Sequence, residues 1–445
     1  MKNYFQSLAS AIFRELRQEE HLFLNLAGDD SQFIRINEAK VRQSGVVENY
    51  FLDFTFVLGE VEGSLKKGSG QITLCLNEQD DLNRLRARLE DLRKELPNFP
   101  VDPYAELPAK KSDESVHESS ASLLARGEAV KTLVNPWAGY DVAGFYAAGQ
   151  IVRGMANSAG LFHWFRMENF SFDYSLFTPA QKALKAHYFS ARWDDDKYSR
   201  QVQDSILKRS LLEKNSVKIS PGQYRVYLTP SAVADILNIL GEALGELAIQ
   251  TSKSAMRFLR SGEKRLSDKF TLIEDFTDGL VPQFNEEGEL APNKLILIEN
   301  GKLQSTLIHS RTAREYGLRA NGAGRRECLR APVVLSGNLS EPEILKSLGT
   351  GIYISNLHYL NWSDEVNGRI TGMTRYACFW VIEGKISSPI ENLRFDESIF
   401  DLLGSSLEQL TKFDEYILET LTYGYRQIGG IRTPGMLLSK MNFTL

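Results

Sequence analysis

The spacing of hydrophobic and polar residues divides the chain into helical and strand-like segments. Apolar residues in 5–16 and in 82–96 recur at spacings of three and four, which predicts two amphipathic helices. Between them, residues 51–58 and 71–76 alternate between apolar and polar positions, as in strands with one buried face. This order of helix, strands and helix predicts an N-terminal α+β domain over residues 1–107.

The middle of the chain begins with a segment that has no hydrophobic period. Residues 108–122, PAKKSDESVHESSAS, combine Pro, Ser and alternating charges, which predicts an exposed connector and a domain boundary. Aromatic residues then become frequent, and residues 161–177 alternate mostly as a strand does. Because positive charges are not interleaved with these aromatic residues, we interpret the run as sheet core rather than as a surface for stacking bases. Residues 108–215 are predicted to form a linker and a central aromatic-rich subdomain.

The last part of the chain is predicted to be mainly β. Residues 224–228 indicate a short strand, and residues 233–248 have the apolar stripe of a helix that packs on a neighbouring element. Two turns suit β-hairpins, namely Asn300-Gly301 and Glu383-Gly384. We therefore predict an α+β fold, with an N-terminal α/β region of mixed sheets and a β-rich C-terminal domain over residues 216–445.

Composition and charge narrow the classes of function. The 445 residues are 42% hydrophobic and 24% charged, values typical of globular proteins. The 52 basic and 57 acidic residues give a net charge of −5, which disfavours direct binding to nucleic acid. Charges interrupt the start of the chain, and no apolar stretch is long enough to span a bilayer. We expect a cytoplasmic protein without membrane contact.

No local motif for metal binding or nucleophilic catalysis stands out in the sequence. The six histidines are dispersed, and the closest two, His163 and His187, are 24 residues apart. Glu242 and Glu246 are one helical turn apart, but without a Glu-x-x-His pattern a solvated polar face is the better interpretation. Ser158 does not lie in a Gly-x-Ser-x-Gly elbow. The three cysteines are far apart and are expected to be reduced thiols.

Six arginines within twenty residues form a local concentration of positive charge. Their guanidinium groups can pair with carboxylates of this acidic chain, or they can bind an anion or the carboxylate of a peptide. The sequence leaves both alternatives open. The six residues are Arg311, Arg314, Arg319, Arg325, Arg326 and Arg330.

The segment at 284–313 reads FNEEGELAPNKLILIENGKLQSTLIHSRTA. It resembles the signature of the TldD/PmbA family of peptidases, in which a Phe-Asp-x-Glu-Gly turn precedes a Leu-Ile-Glu-Asn-Gly hairpin and a Thr-Ala pair. Asn285 stands here in place of the usual Asp. Residues 379–393, 433–438 and 156–160 are similar to the family's second hairpin, closing strand and Asn-Ser-x-Gly turn. The other matching positions are Phe284, Glu287, Gly288, Ile298, Glu299, Asn300, Gly301, Leu303, Thr312 and Ala313.

The resemblance implies a bacterial protein that takes part in the proteolysis of small or unfolded peptides. In this family, TldD-type chains hold zinc through two histidines of a His-Glu-x-x-x-His helix and a later cysteine, whereas TldE (PmbA) chains lack this motif. Asn238 stands at the first histidine position, Ile239 at the glutamate and Ala243 at the second histidine. Neither Cys328 nor Cys378 can hold zinc alone. The resemblance thus implies a TldE-like chain without a metal of its own, whose TldD-type partner carries the zinc.

Three functions stay open as alternatives. The leading one is a non-catalytic subunit that helps to hold a peptide for a TldD-type catalytic partner, and that forms a homodimer when alone. The others are an independent peptidase without the family metal motif and a regulatory peptide- or protein-binding protein. The catalytic residues are unknown. The peptide-binding candidates are Asn157, Ser158 and Gly160 of the Asn-Ser-x-Gly turn, and Arg325 and Arg326 of the arginine cluster.

Overall fold

Two β-sheets with their helices make up the described chain. The structure is a computed structural model that describes residues 1–59, 65–110 and 114–444. The first sheet is built from residues 20–190 and the second from residues 222–443. This arrangement is the α+β fold that the sequence predicts. None of the helices in these ranges is long and apolar enough to cross a membrane.

Long antiparallel strands dominate the first sheet. Its strands are β1 (Glu20–Asn37), β2 (Lys40–Gly59), β3 (Leu65–Thr73), β4 (Ser115–Ser119), β5 (Asp141–Asn157), β6 (Phe162–Phe177) and β7 (Ala183–Ser190). The helices beside it are α1 (Lys2–Phe13), α2 (Glu78–Glu95), α3 (Arg126–Val134) and α4 (Asp195–Leu212). The strand order is β3-β2-β1-β5-β6, and both β4 and β7 pair with β6.

The boundary predicted after residue 107 does not coincide with a break between sheets. Strand β1 of the first predicted segment pairs with β5 of the second along most of its length. Residues 115–119, which the sequence assigns to an exposed connector, form the parallel edge strand β4 instead. Their polar pattern is that of an edge strand, which is only half buried. Residues 111–113 of the predicted connector lie outside the described residues.

The two faces of the first sheet have different surroundings. Helices α1 and α2 pack on side chains such as Leu24, and α3 and α4 cover the distal part of the same face around Ile34. On the opposite face, Phe23 and Phe165 pack against Phe284 of the second half of the chain. The distal part of this opposite face stays open to solvent and is called the open face below.

The second sheet contains thirteen described strands. They are β8 (Gly222–Leu228), β9 (Leu272–Asp275), β10 (Lys294–Glu299), β11 (Lys302–Leu303), β12 (Pro332–Val334), β13 (Gly351–Ile354), β14 (Asn356–Asp364), β15 (Arg369–Arg375), β16 (Phe379–Ile382), β17 (Lys385–Pro389), β18 (Arg394–Ser398), β19 (Leu407–Leu418) and β20 (Gly430–Phe443). The accompanying helices are α5 (Pro230–Ile239), α6 (Glu246–Gln250), α7 (Arg257–Ser261), α8 (Ser310–Tyr316) and α9 (Ile344–Leu348). Strand β20 lies at the centre, where it pairs with β8, β12, β18 and β19.

Both predicted hairpin turns are confirmed. Asn300 and Gly301 join β10 to β11, and Glu383 and Gly384 join β16 to β17. All four residues have positive φ, between 48° and 75°. Two consecutive residues with positive φ give the twist that a two-residue hairpin needs, which explains why Gly occupies the second position.

The single helix predicted over residues 233–248 is wrong. Helix α5 ends at Ile239, and α6 begins only at Glu246. Between them the backbone bonds to other segments instead of continuing the helix, because the carbonyl of Gly241 accepts from the amide of Leu329 (3.0 Å). The carbonyl of Leu244 likewise accepts from the amide of Leu307 (3.0 Å).

Candidate functional site

Helix α5 carries Asn238 and Ile239, two of the three residues that the resemblance aligns with a metal-binding helix. The hydroxyl of Thr229 accepts a hydrogen bond from the amide of Ala232, and Pro230 stands in the first turn, where no amide hydrogen is needed. The buried side of α5 belongs to the core of the second sheet. Its other side, which includes Asn238, faces a cleft.

The cleft has a volume of about 580 Å³ and lies between α5 and the β6–β7 side of the first sheet. Residues of both halves of the chain line it, including the ends of the loop between β19 and β20. Its polar lining includes Asp173, Lys185 and His187 from the first sheet, and Asp235, Asn238 and Glu242 from α5 and the turn after it. The volume is in the range of pockets that bind small ligands.

The three positions aligned with the metal motif do not converge on one point. Asn238 is exposed to the cleft, whereas Ile239 packs against the hydrophobic core of the second sheet. Ala243 lies in the turn after the helix and is only 3% exposed. Neither the side chain of Ile239 nor that of Ala243 has an atom that can coordinate a metal.

These residues therefore do not fit the zinc site that the family motif provides. Structural and catalytic zinc sites need three or four nitrogen, sulfur or oxygen ligands around one point. Within residues 1–59, 65–110 and 114–444, no group of three or more His, Cys, Asp and Glu side chains is placed to hold a metal ion. We accordingly derive no catalytic step through zinc on this chain.

Glu242 lies at the mouth of the cleft and contacts two residues of the segment that follows α8. The guanidinium of Arg326 forms an ion pair with its carboxylate. The thiol of Cys328 donates a long hydrogen bond to the same carboxylate, at 3.8 Å. Burial raises the pKa of the Cys328 thiol to about 11, so the group stays protonated at neutral pH. The thiol is thus poorly suited to act as a nucleophile or a metal ligand.

Glu246 departs from the sequence-based interpretation of a solvated polar face. Its carboxylate is buried and accepts hydrogen bonds from Arg260 (2.9 Å) and Gln250 (2.7 Å). The hydroxyl of Thr306 donates a third (2.5 Å). Glu246 therefore has a structural role.

Four cleft residues that the sequence analysis did not single out form a polar group. Lys185 on β7 makes an ion pair with Asp173 on β6 (3.3 Å). Asp235 on α5 accepts a hydrogen bond from the amide of Leu357 (2.9 Å), and burial raises its pKa to about 6. Burial lowers the pKa of His187. A carboxyl group with a shifted pKa in a cleft is a common mark of a functional site. In the sequence, the only signal for Asp235 is a polar position on a helix with an apolar stripe.

The Asn-Ser-x-Gly turn connects β5 to β6, and its polar side chains accept hydrogen bonds from backbone amides. The amide oxygen of Asn157 accepts from the backbone amides of Ala159 (3.0 Å) and Leu161 (3.2 Å). The hydroxyl of Ser158 accepts from the amide of Leu22 (3.1 Å). Gly160 has φ +87°, which favours glycine. The structure places these three residues outside the cleft, and their assignment to peptide binding stays a prediction.

Within the part of the chain that the structure describes, four of the six clustered arginines form ion pairs, as the first of the two alternatives predicted. Arg325 pairs with Glu287 (2.8 Å), and the ring of His309 donates to the same carboxylate (2.9 Å). Although burial opposes ionisation of Glu287, these two contacts lower its pKa to about 2. The other pairs are Arg311 with Asp102, Arg314 with Glu106, and Arg326 with Glu242.

Sequence comparison assigns the C-terminal half to a known family. A family model described as the PmbA/TldA metallopeptidase C-terminal domain matches residues 221–445, slightly more than half of the chain. A metalloprotease TldD homolog from Buchnera aphidicola is 33% identical over 166 residues, which are 34% of this chain and 32% of that protein. A metalloprotease from Methanothermobacter thermautotrophicus is 26% identical over 151 residues, 32% of this chain and 33% of that protein. The match thus spans about a third of the length of these curated relatives.

Similar folds occur in solved structures that cover the whole chain. A candidate modulator of DNA gyrase from Thermotoga maritima superposes with a TM-score of 0.76 at 13% identity, with full coverage of both chains. TldE from Thermococcus kodakarensis superposes with a TM-score of 0.73 at 13% identity and covers 99% of this chain and all of that one. At these identities the superpositions show the fold alone. From the match of the family model over residues 221–445, the chain belongs to the PmbA/TldD metallopeptidase family.

Proposed function

We propose that this chain is a metal-less, TldE-like subunit that holds an extended peptide while a TldD-type partner supplies the zinc and the catalytic step. The observation that carries the proposal is the site beside α5. Asn238 faces a cleft of about 580 Å³, whereas Ile239 and Ala243 offer no ligand and no general base. The chain thus has a cleft at this position but no ligands for a metal.

The cleft favours a peptide because it combines polar groups with apolar walls. Asn238 presents both a donor and an acceptor, as main-chain recognition requires. Leu329, Ile417, Leu418 and Ile428 add apolar surface. Such a lining can hold an extended chain with little dependence on its sequence. The name of the structural relative from Thermococcus kodakarensis, TldE, agrees with this proposal.

The same geometry argues against an independent peptidase. A nucleophile needs an adjacent base or a lowered pKa. Burial keeps Cys328 protonated, and the hydroxyl of Ser158 accepts a hydrogen bond from the backbone amide of Leu22 on β1. Neither residue is activated, so hydrolysis is assigned to the partner. We further propose that the assembly acts in the cytoplasm and that this chain binds no zinc.

The proposal is tested by mixing the purified chain with a TldD-type protein and following cleavage of an unstructured peptide, with each chain omitted in turn. We expect a stable complex that buries more than about 1,000 Å² and loses activity with a chelator. The chain alone should cleave no faster than buffer. Cleavage by the chain alone that survives the chelator would instead identify an independent enzyme, and failure to associate with the partner would favour a regulatory role.

A pair of variants connects the activity to the cleft. Asn238→Trp fills the cleft, and we expect cleavage by the mixture to fall about tenfold or more while the complex still forms. The matched control is Asn361→Trp on the exposed part of β14, which should leave cleavage unchanged. Equal activity of the two variants would show that the cleft does not hold the peptide.

A further inference from the structure

A second cavity lies on the open face of the first sheet, beside the cleft. Its volume is about 670 Å³, and residues of β1, β2, β5 and β6 line it. Asp173 lines both this cavity and the cleft. A peptide that leaves the cleft past Asp173 therefore enters the second cavity.

Five side chains form a row across the sheet from β2 to the cleft. The strand register pairs Gln43 with Arg35, Arg35 with Phe145, Phe145 with Asp173, and Asp173 with His187. Directly paired residues on neighbouring strands point to the same face of a sheet. We call these five residues the cross-strand row.

A β-bulge places a second arginine beside the row. Arg35 is opposite Gln43 and Ile36 is opposite Val41, so Arg42 is the extra residue between the two pairs. A bulge changes the direction of a side chain and is frequent next to functional sites. Both Arg35 and Arg42 are exposed and line the second cavity.

These two arginines differ from those of the cluster at 311–330. In the ranges that the structure describes, neither Arg35 nor Arg42 forms an ion pair with a carboxylate, whereas Arg311, Arg314 and Arg325 do. Two guanidinium groups in one cavity make a site for an anion. Planar guanidinium groups bind carboxylates in a two-pronged geometry.

We propose that Arg35 and Arg42 bind a side-chain carboxylate of the peptide, so that the preferred substrates are extended peptides with an acidic residue. This inference rests on the proposed function, because it extends the same peptide path. The carboxylate of Asp173 does not repel the ligand strongly, since Lys185 pairs with it at 3.3 Å. The ring of Phe145 lies between Arg35 and Asp173 in the cross-strand row, and it offers apolar surface to the peptide residues that pass between them.

The geometry sets the position of the acidic residue. Arg35 is two strands away from Asp173 along the cross-strand row, which corresponds to about 10 Å at a strand spacing of about 4.8 Å. An extended chain covers about 3.3 Å per residue. The acidic residue should therefore follow or precede the residue over Asp173 by about three positions.

The test measures binding of labelled nine-residue peptides to the purified full chain by fluorescence anisotropy. A single Glu is moved through an uncharged, unstructured sequence, and each peptide has a matched Gln counterpart. We expect one or two adjacent Glu positions to bind about tenfold more tightly than their Gln counterparts. In the double variant Arg35→Gln, Arg42→Gln this preference should disappear. The control variant Arg200→Gln, on the exposed surface of α4, should retain it.

The outcomes separate this inference from the proposed function. Binding of Glu and Gln peptides with equal affinity would overturn the carboxylate site and leave the cleft intact. A preference that is the same at every Glu position, or that persists in the double variant, would also overturn it, because bulk electrostatics would then be the cause. No binding of any peptide would count against both proposals. If the double variant binds peptides normally but fails to join a TldD-type partner, the two arginines belong to a protein interface and the inference is wrong.

Discussion

The guanidinium of Arg153 lies over the ring of Tyr425, 4.7 Å from its centroid. Arg153 belongs to β5 of the first sheet, and Tyr425 belongs to the loop between β19 and β20 of the second. The next residue, Arg426, is buried, and its guanidinium donates to the side chain of Asn169 on β6 (2.5 Å). Burial lowers the pKa of both arginines to about 10. These contacts fasten one wall of the cleft to the first sheet.

Replacement of Arg426 by alanine should destabilise the protein by about 3 kcal/mol, because it removes buried packing and leaves the polar side chains of Asn169 and Ser31 without their partner. The control Arg432→Ala lies on the adjoining strand, where the residue forms a surface ion pair with Asp278. Its cost should be about 0–1 kcal/mol. Urea denaturation measures both, and similar midpoints for the two variants would contradict the anchoring role.

Asp235 should make stability depend on pH near neutrality. Its pKa is raised from 3.8 to about 6, so the folded chain keeps a proton that the unfolded chain releases. The contribution is fully present below pH 3.8 and is lost as the pH rises through about 6, with a total on the order of 3 kcal/mol. Asp235→Asn should raise the melting temperature at pH 8 and have little effect at pH 4. Asp204→Asn on α4 serves as the control. An equal change in the melting temperature of Asp235→Asn at both pH values would exclude the raised pKa of Asp235 as the cause.

Glu287 should change stability with pH in the opposite direction to Asp235, and at acid pH. Its pKa is lowered from 4.5 to about 2, so its contribution is present above pH 4.5 and is lost as the pH falls through about 2. Its size is on the order of 3 kcal/mol. Melting temperatures between pH 5 and pH 2 should therefore fall less steeply in Glu287→Gln than in the unmodified chain. Parallel curves would show that other carboxylates dominate the acid transition.

Arg325 and Arg326 are adjacent, but replacing each by alanine should have different effects on stability and on peptide binding. Arg325→Ala removes a partner of the buried Glu287 and should cost about 1–3 kcal/mol. Arg326 is 81% exposed at the cleft mouth, so Arg326→Ala should cost about 0–1 kcal/mol and instead weaken peptide capture. Thermal melts together with peptide anisotropy distinguish the two roles. Unchanged peptide binding by Arg326→Ala would show that this residue only forms a surface ion pair.

Purified chain should contain far less than one zinc per molecule after dialysis, because the positions of the ligands and the base are held by Asn238, Ile239 and Ala243. Elemental analysis gives the stoichiometry directly. One tightly held zinc per chain would overturn the metal-less assignment. A TldD-type protein prepared in the same way is the positive control.

Segments with a strong local pattern could be predicted from the sequence, but contacts between distant segments could not. The alternation in 161–177 corresponds to β6, and the Asn300-Gly301 turn is in place. The sequence does not predict a strand over 20–37, because Asp29 and Ser31 interrupt the apolar pattern. Both are buried because they accept hydrogen bonds from Arg426. A polar residue that is satisfied by such a distant partner gives no local signal of burial.

The cleft residues show the same limit. Asp173 and Lys185 look like ordinary polar positions of alternating strands, and only the strand register brings them opposite Asp235 of α5. The helix break after Ile239 was also missed. It depends on backbone hydrogen bonds from Leu307 and Leu329, which lie far along the chain.

The bond from Arg426 to Asp29 joins residues 397 positions apart, which has a consequence for the order of synthesis. All described strands of the first sheet have been synthesised once Ser190 has been made. Its buried polar groups then stay in contact with water until the loop that bears Arg426 has also been made and has emerged. This loop completes the wall of the cleft, so a nascent chain stalled before Arg426 emerges should present the first sheet without a finished binding site.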